Sequence, residues 1–192
     1  EIYQCDWSSD VCSSDLAYFI RLGGCDVGCV WCDVKESWDA SLYPKRTPES
    51  LIREVKQTPA PLVVITGGEP LLHDLTELTQ EFRAAGLRVH LETSGAHPLS
   101  GTWDWITLSP KKFKAPLSPI LSQAHELKVV IHHPSDLEWA EQYAKQMSPD
   151  CMLYLQPEWE KRERITPLII DYLKAHPQWC LSLQIHKYIN VP

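Results

Sequence analysis

Three thiols fall within one eight-residue stretch, Cys25-Asp-Val-Gly-Cys29-Val-Trp-Cys32. Seven cysteines in all is an odd number, and this clustering suits metal binding in a reducing compartment better than paired disulfides. On a short loop, three thiolates can each hold one iron of a cubane 4Fe–4S cluster. Gly23, Gly24 and Gly28 let the backbone fold around such a group. Three ligands for four irons leave one iron open to another molecule. A zinc site is the alternative reading; it normally closes with four ligands, and the fourth would be a distant His or Cys151. The count of three favours the cluster.

A second group, Thr66-Gly67-Gly68-Glu69-Pro70, follows the apolar run Leu62-Val63-Val64-Ile65. Paired glycines admit a ligand close to the backbone, and Glu69 offers an acceptor for an ammonium group. Alone, the group reads as a plain strand-to-helix turn. Beside the cysteine loop it becomes a candidate cofactor contact.

Both groups must be positioned by regular elements. Strands are expected at Ala17–Leu22, Pro61–Thr66, Leu87–Glu92, Trp103–Leu108, Leu127–His132, Cys151–Gln156 and Trp179–Ile185. Several are nearly continuous apolar runs, as in strands covered on both faces. Between them, Thr47 can cap a helix that has Pro48 at its first position. Leu71, Leu75, Leu78, Phe82 and Ala85 form one apolar stripe stopped by Gly86. Leu137 to Met147 and Ile165 to Leu173 mark two more helices. Alternating strands and helices predict an α/β fold with a mainly parallel sheet. A complete eight-unit barrel needs ~250 residues. The 192 present fit a partial (βα)6-type open TIM-like barrel, its site at the C-terminal strand ends.

Composition narrows the class of partner. The chain is 44% hydrophobic and 22% charged, as expected of an ordered globular domain. Its formal charge of -7 gives no reason to expect a nucleic acid or an anionic membrane as partner. No apolar run reaches the ~18 residues of a spanning helix, and no signal-peptide pattern opens the sequence. A cytoplasmic location is the expectation.

The cysteine loop and the Gly-Gly-Glu group together resemble the radical S-adenosylmethionine (SAM) superfamily. Further segments narrow the match: Phe19-Ile-Arg-Leu-Gly-Gly-Cys25, Cys32-Asp33, Leu91-Glu-Thr-Ser-Gly95, Leu108-Ser-Pro-Lys111, Leu127-Lys-Val-Val130, Leu155-Gln-Pro157 and Leu183-Gln-Ile-His-Lys187. In this order they look like the 7-carboxy-7-deazaguanine synthase family of queuosine biosynthesis, over residues 17 to 192. The resemblance implies a radical SAM core and a lyase. The reaction it implies converts 6-carboxy-5,6,7,8-tetrahydropterin to 7-carboxy-7-deazaguanine with loss of ammonia. It implies a 4Fe–4S cluster on Cys25, Cys29 and Cys32, with SAM on the open iron and a magnesium ion orienting the substrate. Trp31, Cys32, Asp33, Gly68, Glu69, Ser109, Pro110 and Lys111 would contact SAM. Arg21 would pair with the substrate carboxylate, and Thr66 would touch the pterin. Gln156, Pro157, Glu158 and Trp159 would read the pterin edge, with His186 and the carboxylate of Pro192 closing the pocket. An external one-electron reductant of flavodoxin or ferredoxin type and a homodimeric assembly are implied as well.

Three departures stand out. The family opens with a Gln-Gly-Glu-Gly segment that binds the pterin, and here residues 4 to 16 replace it. Residues 1–16 thus form an atypical N-terminal segment, whose twice-occurring Ser-Ser-Asp reads as foreign sequence of the kind read-assembly or adapter errors leave. Val34 stands where the family places a magnesium-ligating threonine, and a valine side chain has no oxygen to give. Ile185 replaces a threonine before His186-Lys187. Rival readings are another small radical enzyme of the activase type, a non-catalytic iron–sulfur module, or an inactive relative.

Overall fold

Side-chain parity along the strands decides which face of the sheet each residue serves. Tyr18, Ile20, Val63 and Ile65 join the main core beneath the helices, whereas Ala17, Phe19, Leu62 and Val64 form a separate cluster on the other face. Arg21 and Thr66 continue that second face and stand opposite each other in register. The computed structural model describes residues 17–189. The atypical segment 1–16 and Pro192 lie outside them. Among the described residues no helix is long and apolar enough to cross a membrane.

Among the described residues seven strands form one sheet: β1 (Ala17–Leu22), β2 (Leu62–Gly67), β3 (Arg88–Thr93), β4 (Trp105–Leu108), β5 (Glu126–Ile131), β6 (Met152–Pro157) and β7 (Trp179–Leu181). Every pairing is parallel and the order is β1-β2-β3-β4-β5-β6-β7. The sheet is open, and its strand ends point their C-terminal loops to one side. The helices are α1 (Pro48–Val55), α2 (Thr76–Ala84), α3 (Ser118–Leu121), α4 (Asp136–Ala144), α5 (Arg162–Ala175) and α6 (Ile185–Ile189). Phe82 from α2 and Ile165 and Ile169 from α5 are fully buried against Leu91, Leu127 and Leu155 of the strands. Each such side chain contributes about 1.5–3 kcal/mol by leaving water.

Local chemistry explains the element ends. Thr47 accepts from the Ser50 amide at 3.3 Å, with Pro48 at the first helical position. The stripe from Leu71 to Ala85 is not one helix. The Glu69 carboxylate accepts the Leu71 amide and closes a 3-10 turn over Pro70–Leu72. Asp74 then takes the Thr76 amide at 3.0 Å and starts α2 afresh. The last strand is also shorter than its apolar run suggests, ending at Leu181 while Ile185 opens α6. Along β7, Trp179 points into the core and Cys180, on the opposite face, is exposed.

Candidate active site

Two loops are stitched together by their backbones where β1 and β2 end. Gly68 N–H donates to Leu22 O at 2.9 Å, and Glu69 N–H donates to Gly24 O at 2.8 Å. No other residue type fits here. Gly67 has φ +129, and a Cβ on it would stand 2.3 Å from Leu22 N and O; one on Gly68 would stand 2.2 Å from Gly24 O. The paired glycines therefore serve loop-to-loop contact as well as ligand approach.

The cysteine loop rises from this junction. Cys32 N–H donates to Cys29 O at 3.1 Å, and Gly28 turns the chain with φ +74. Cys29 packs with Val27 and Ala96, and Cys25 and Cys32 border the same cluster. Burial pushes the Cys29 thiol up to about 11, with Lys111 pulling the other way, and burial raises Cys25 too. Among the described residues no group of three or more His, Cys, Asp and Glu side chains gathers around a single-ion position. A cubane makes a different demand, since each thiolate takes its own iron. Three thiols on one turn, bordering a cavity, fit it. Iron loading displaces thiol protons, so assembly is expected to tighten as pH rises towards the raised Cys29 value. An anaerobic ferrous titration in weak buffer should show proton release, and stronger loading at about pH 8.5 than at about pH 7.

The cavity measures about 560 Å³. Cys25, Cys29, Cys32, Trp31, Asp33, Gly68, Ser109 and Lys111 line it together with Arg21, Thr66, Gln156, Glu158, Trp159 and His186. Val34 lines it too. Of the remaining expected contacts, Pro110 and Pro157 are buried but are not among its lining residues. Lys111 Nζ donates to both Ser109 O and Ser109 Oγ at 2.6 Å and lies 5.8 Å from the Trp31 ring centroid. Phe113 meets the same ring edge-on.

Glu69 lines the cavity, yet its carboxylate is already engaged. One oxygen accepts from Leu71 N–H and Thr93 Oγ1, the other from Ser94 N–H and Ser94 Oγ. Here it ties the β2 loop to the β3 loop.

Sequence reasoning passed over several residues that the fold brings to the cavity. Glu92 on β3 accepts from Thr66 Oγ1 at 3.0 Å and from Lys128 Nζ, on β5, at 2.9 Å. Burial alone would raise the Glu92 carboxyl, but Lys128, Thr66 and Arg21 hold it below its usual value. The available signal was strand parity: Lys128 interrupts an apolar run whose Leu127, Val129 and Ile131 face the core. Gln156 Oε1 accepts from Ser182 Oγ at 3.2 Å, and Glu158 caps the 3-10 turn Trp159–Lys161. Gln184 and Lys187 also reach the cavity wall.

A model of the radical SAM superfamily matches residues 19–112. The 7-carboxy-7-deazaguanine synthase of Flavobacterium psychrophilum is 53% identical over 92% of this chain and 83% of its own length. That of Synechocystis sp. is 52% identical over 91% of this chain and 84% of its own. The chain belongs to the 7-carboxy-7-deazaguanine synthase family. The fold agrees: the crystal structure of QueE from Escherichia coli superposes with a TM-score of 0.81 at 31% identity, covering 95% of this chain and 91% of that one. Membership in the radical SAM superfamily implies a 4Fe–4S cluster and SAM, and the three-thiol loop beside the cavity fits both.

Proposed function

We propose that this chain converts 6-carboxy-5,6,7,8-tetrahydropterin to 7-carboxy-7-deazaguanine, releasing ammonia. One observation carries the reading: a single cavity joins the three cysteine thiols to the polar set Arg21, Thr66, Glu92 and Lys128. When bound, the cluster and SAM supply hydrogen-atom abstraction at a substrate carbon. The chain's own residues hold the substrate there. Arg21, at the end of β1, presents a planar fork for the pterin carboxylate. Thr66 and Glu92 offer oxygens to the ring donors, with Glu92 kept charged by Lys128. Gln156, Glu158, Trp159 and His186 line the same cavity and serve the pterin edge. Ser109 and Lys111 stand with Trp31 on the SAM side. An external one-electron reductant of flavodoxin or ferredoxin type delivers the electron, and two copies associate as a homodimer.

Magnesium does not fit the position the family would use. Val34 lines the cavity without a side-chain oxygen, and the nearby Ser37 hydroxyl donates to Val34 O at 2.7 Å. Magnesium stimulation is expected to be weak and to grow in Val34→Thr. Equal stimulation of the two proteins would refute this.

The test of the whole reading is anaerobic reconstitution with iron and sulfide, then assay with dithionite, SAM and the carboxypterin. 7-Carboxy-7-deazaguanine should accumulate. SAM cleavage without product would overturn the substrate assignment, and no cleavage at all would overturn the class of chemistry.

A further inference from the structure

Lys187 lies 154 residues from Asp33, yet its Nζ forms an ion pair with the Asp33 carboxylate directly after the last cluster cysteine. Gln184 Nε2 donates to the same Oδ2 at 3.1 Å. Partial desolvation opposes charge on Asp33, whose side chain is still nearly half exposed, but these two donors keep its carboxyl below the usual range. The same Lys187 ammonium stands 5.1 Å from the centroid of Trp159, the ring that Tyr188 meets edge-on at 5.1 Å. Arg162 covers that ring as well, 4.1 Å from its centroid. One side chain thus touches both the loop that carries the thiols and the wall that carries Glu158, Trp159 and, one residue away, His186.

We infer that Lys187 is a positioning residue that latches α6 to the cysteine loop and so sets the distance between the substrate wall and the cluster side of the cavity. Asp33 then serves as the receiver of this latch, in addition to any contact with SAM. An ammonium on a flexible stem can satisfy a carboxylate and a ring face together. Gln184, in the turn before α6, adds a neutral contact to the same carboxylate. Breaking the latch leaves the thiols in place and lets the substrate wall drift. Hydrogen abstraction depends on that distance, because small misplacements of a reacting group lower the rate steeply. The inference rests on the proposed pterin chemistry only for its kinetic consequence.

The test uses Lys187→Met, which keeps the stem and removes the charge, with Lys187→Arg as the conservative partner. In the apoprotein, amide exchange over residues 183–188 should quicken about tenfold in the Met variant, and the Arg variant should restore most of the protection. In the reconstituted enzyme, iron content should stay at the wild-type level and SAM should still be cleaved. Product formed per SAM cleaved should fall about tenfold, with KM for the pterin raised. In combination with Asp33→Asn, the exchange effects should be less than additive. Unchanged exchange in Lys187→Met, or fully additive effects in the double variant, would overturn the latch. If the wild-type chain makes no product, the pterin assignment fails while the exchange measurements still judge the latch.

Discussion

Replacing Cys29 with alanine is expected to leave a folded chain that assembles no cluster and cleaves no SAM. Cys29 is 6% exposed and packs with Val27 and Ala96, so alanine removes only a sulfur from a small satellite cluster. The fold should barely respond, with a stability loss of about 1 kcal/mol. The chemistry has no substitute. Two thiols cannot grip three irons, and the described residues set no nearby fourth sulfur in the cavity wall. Turnover should fall more than about a thousandfold, equivalent to over ~4 kcal/mol of barrier. Iron and sulfide per chain, visible absorption and 5′-deoxyadenosine release together measure it. Cys180→Ala, exposed on β7 far along the sheet order, should match wild type in all three. A Cys29→Ala protein that still holds a full cluster would break the assignment, and zinc in place of iron in the wild type would revive the alternative.

Glu69→Gln is expected to act on stability before it acts on ligand binding. The wild-type carboxylate is 1% exposed and accepts from Leu71 N–H, Thr93 Oγ1, Ser94 N–H and Ser94 Oγ. An amide supplies one acceptor oxygen and turns two donors towards groups that are themselves donors. Buried polar groups left facing their own kind make such changes expensive, here about 3–5 kcal/mol. For a chain of this length that lowers Tm by roughly 10 °C. Thermal unfolding of the apoprotein measures it without SAM present. Wild-type stability combined with lost SAM affinity would show instead that the carboxylate faces the ligand.

The contrast between Glu69 and the cysteines shows what a sequence can and cannot reveal. The three thiols are neighbours along the chain, so their spacing alone disclosed the loop, and each of the seven described strands overlaps a run expected from the sequence. Glu69 carried the right residue type in the right place, but its partners Thr93 and Ser94 sit one crossover away. Only the fold shows that its oxygens are taken. Glu92 and Lys128 were hidden for the same reason: a carboxylate on β3 and an ammonium on β5 become a pair across the sheet, with β4 between them. The broken helix at His73–Leu75 was masked by a stripe with the correct period, because the Asp74 side chain takes the Thr76 amide in a local turn just before α2. Lys187 and Asp33 stand at the extreme of this separation.

The strictly consecutive strand order has a consequence for the chain as it leaves the ribosome. Each strand's partner on one side has always emerged before it, so the sheet can grow by addition during vectorial synthesis. A nascent product halted after β7 would already possess all seven described strands, its thiol loop and most of the described buried core. It would still lack α6, which is brought against Asp33. Molecules terminated there should therefore pass as well-folded protein while lacking the helix that carries Lys187 to Asp33.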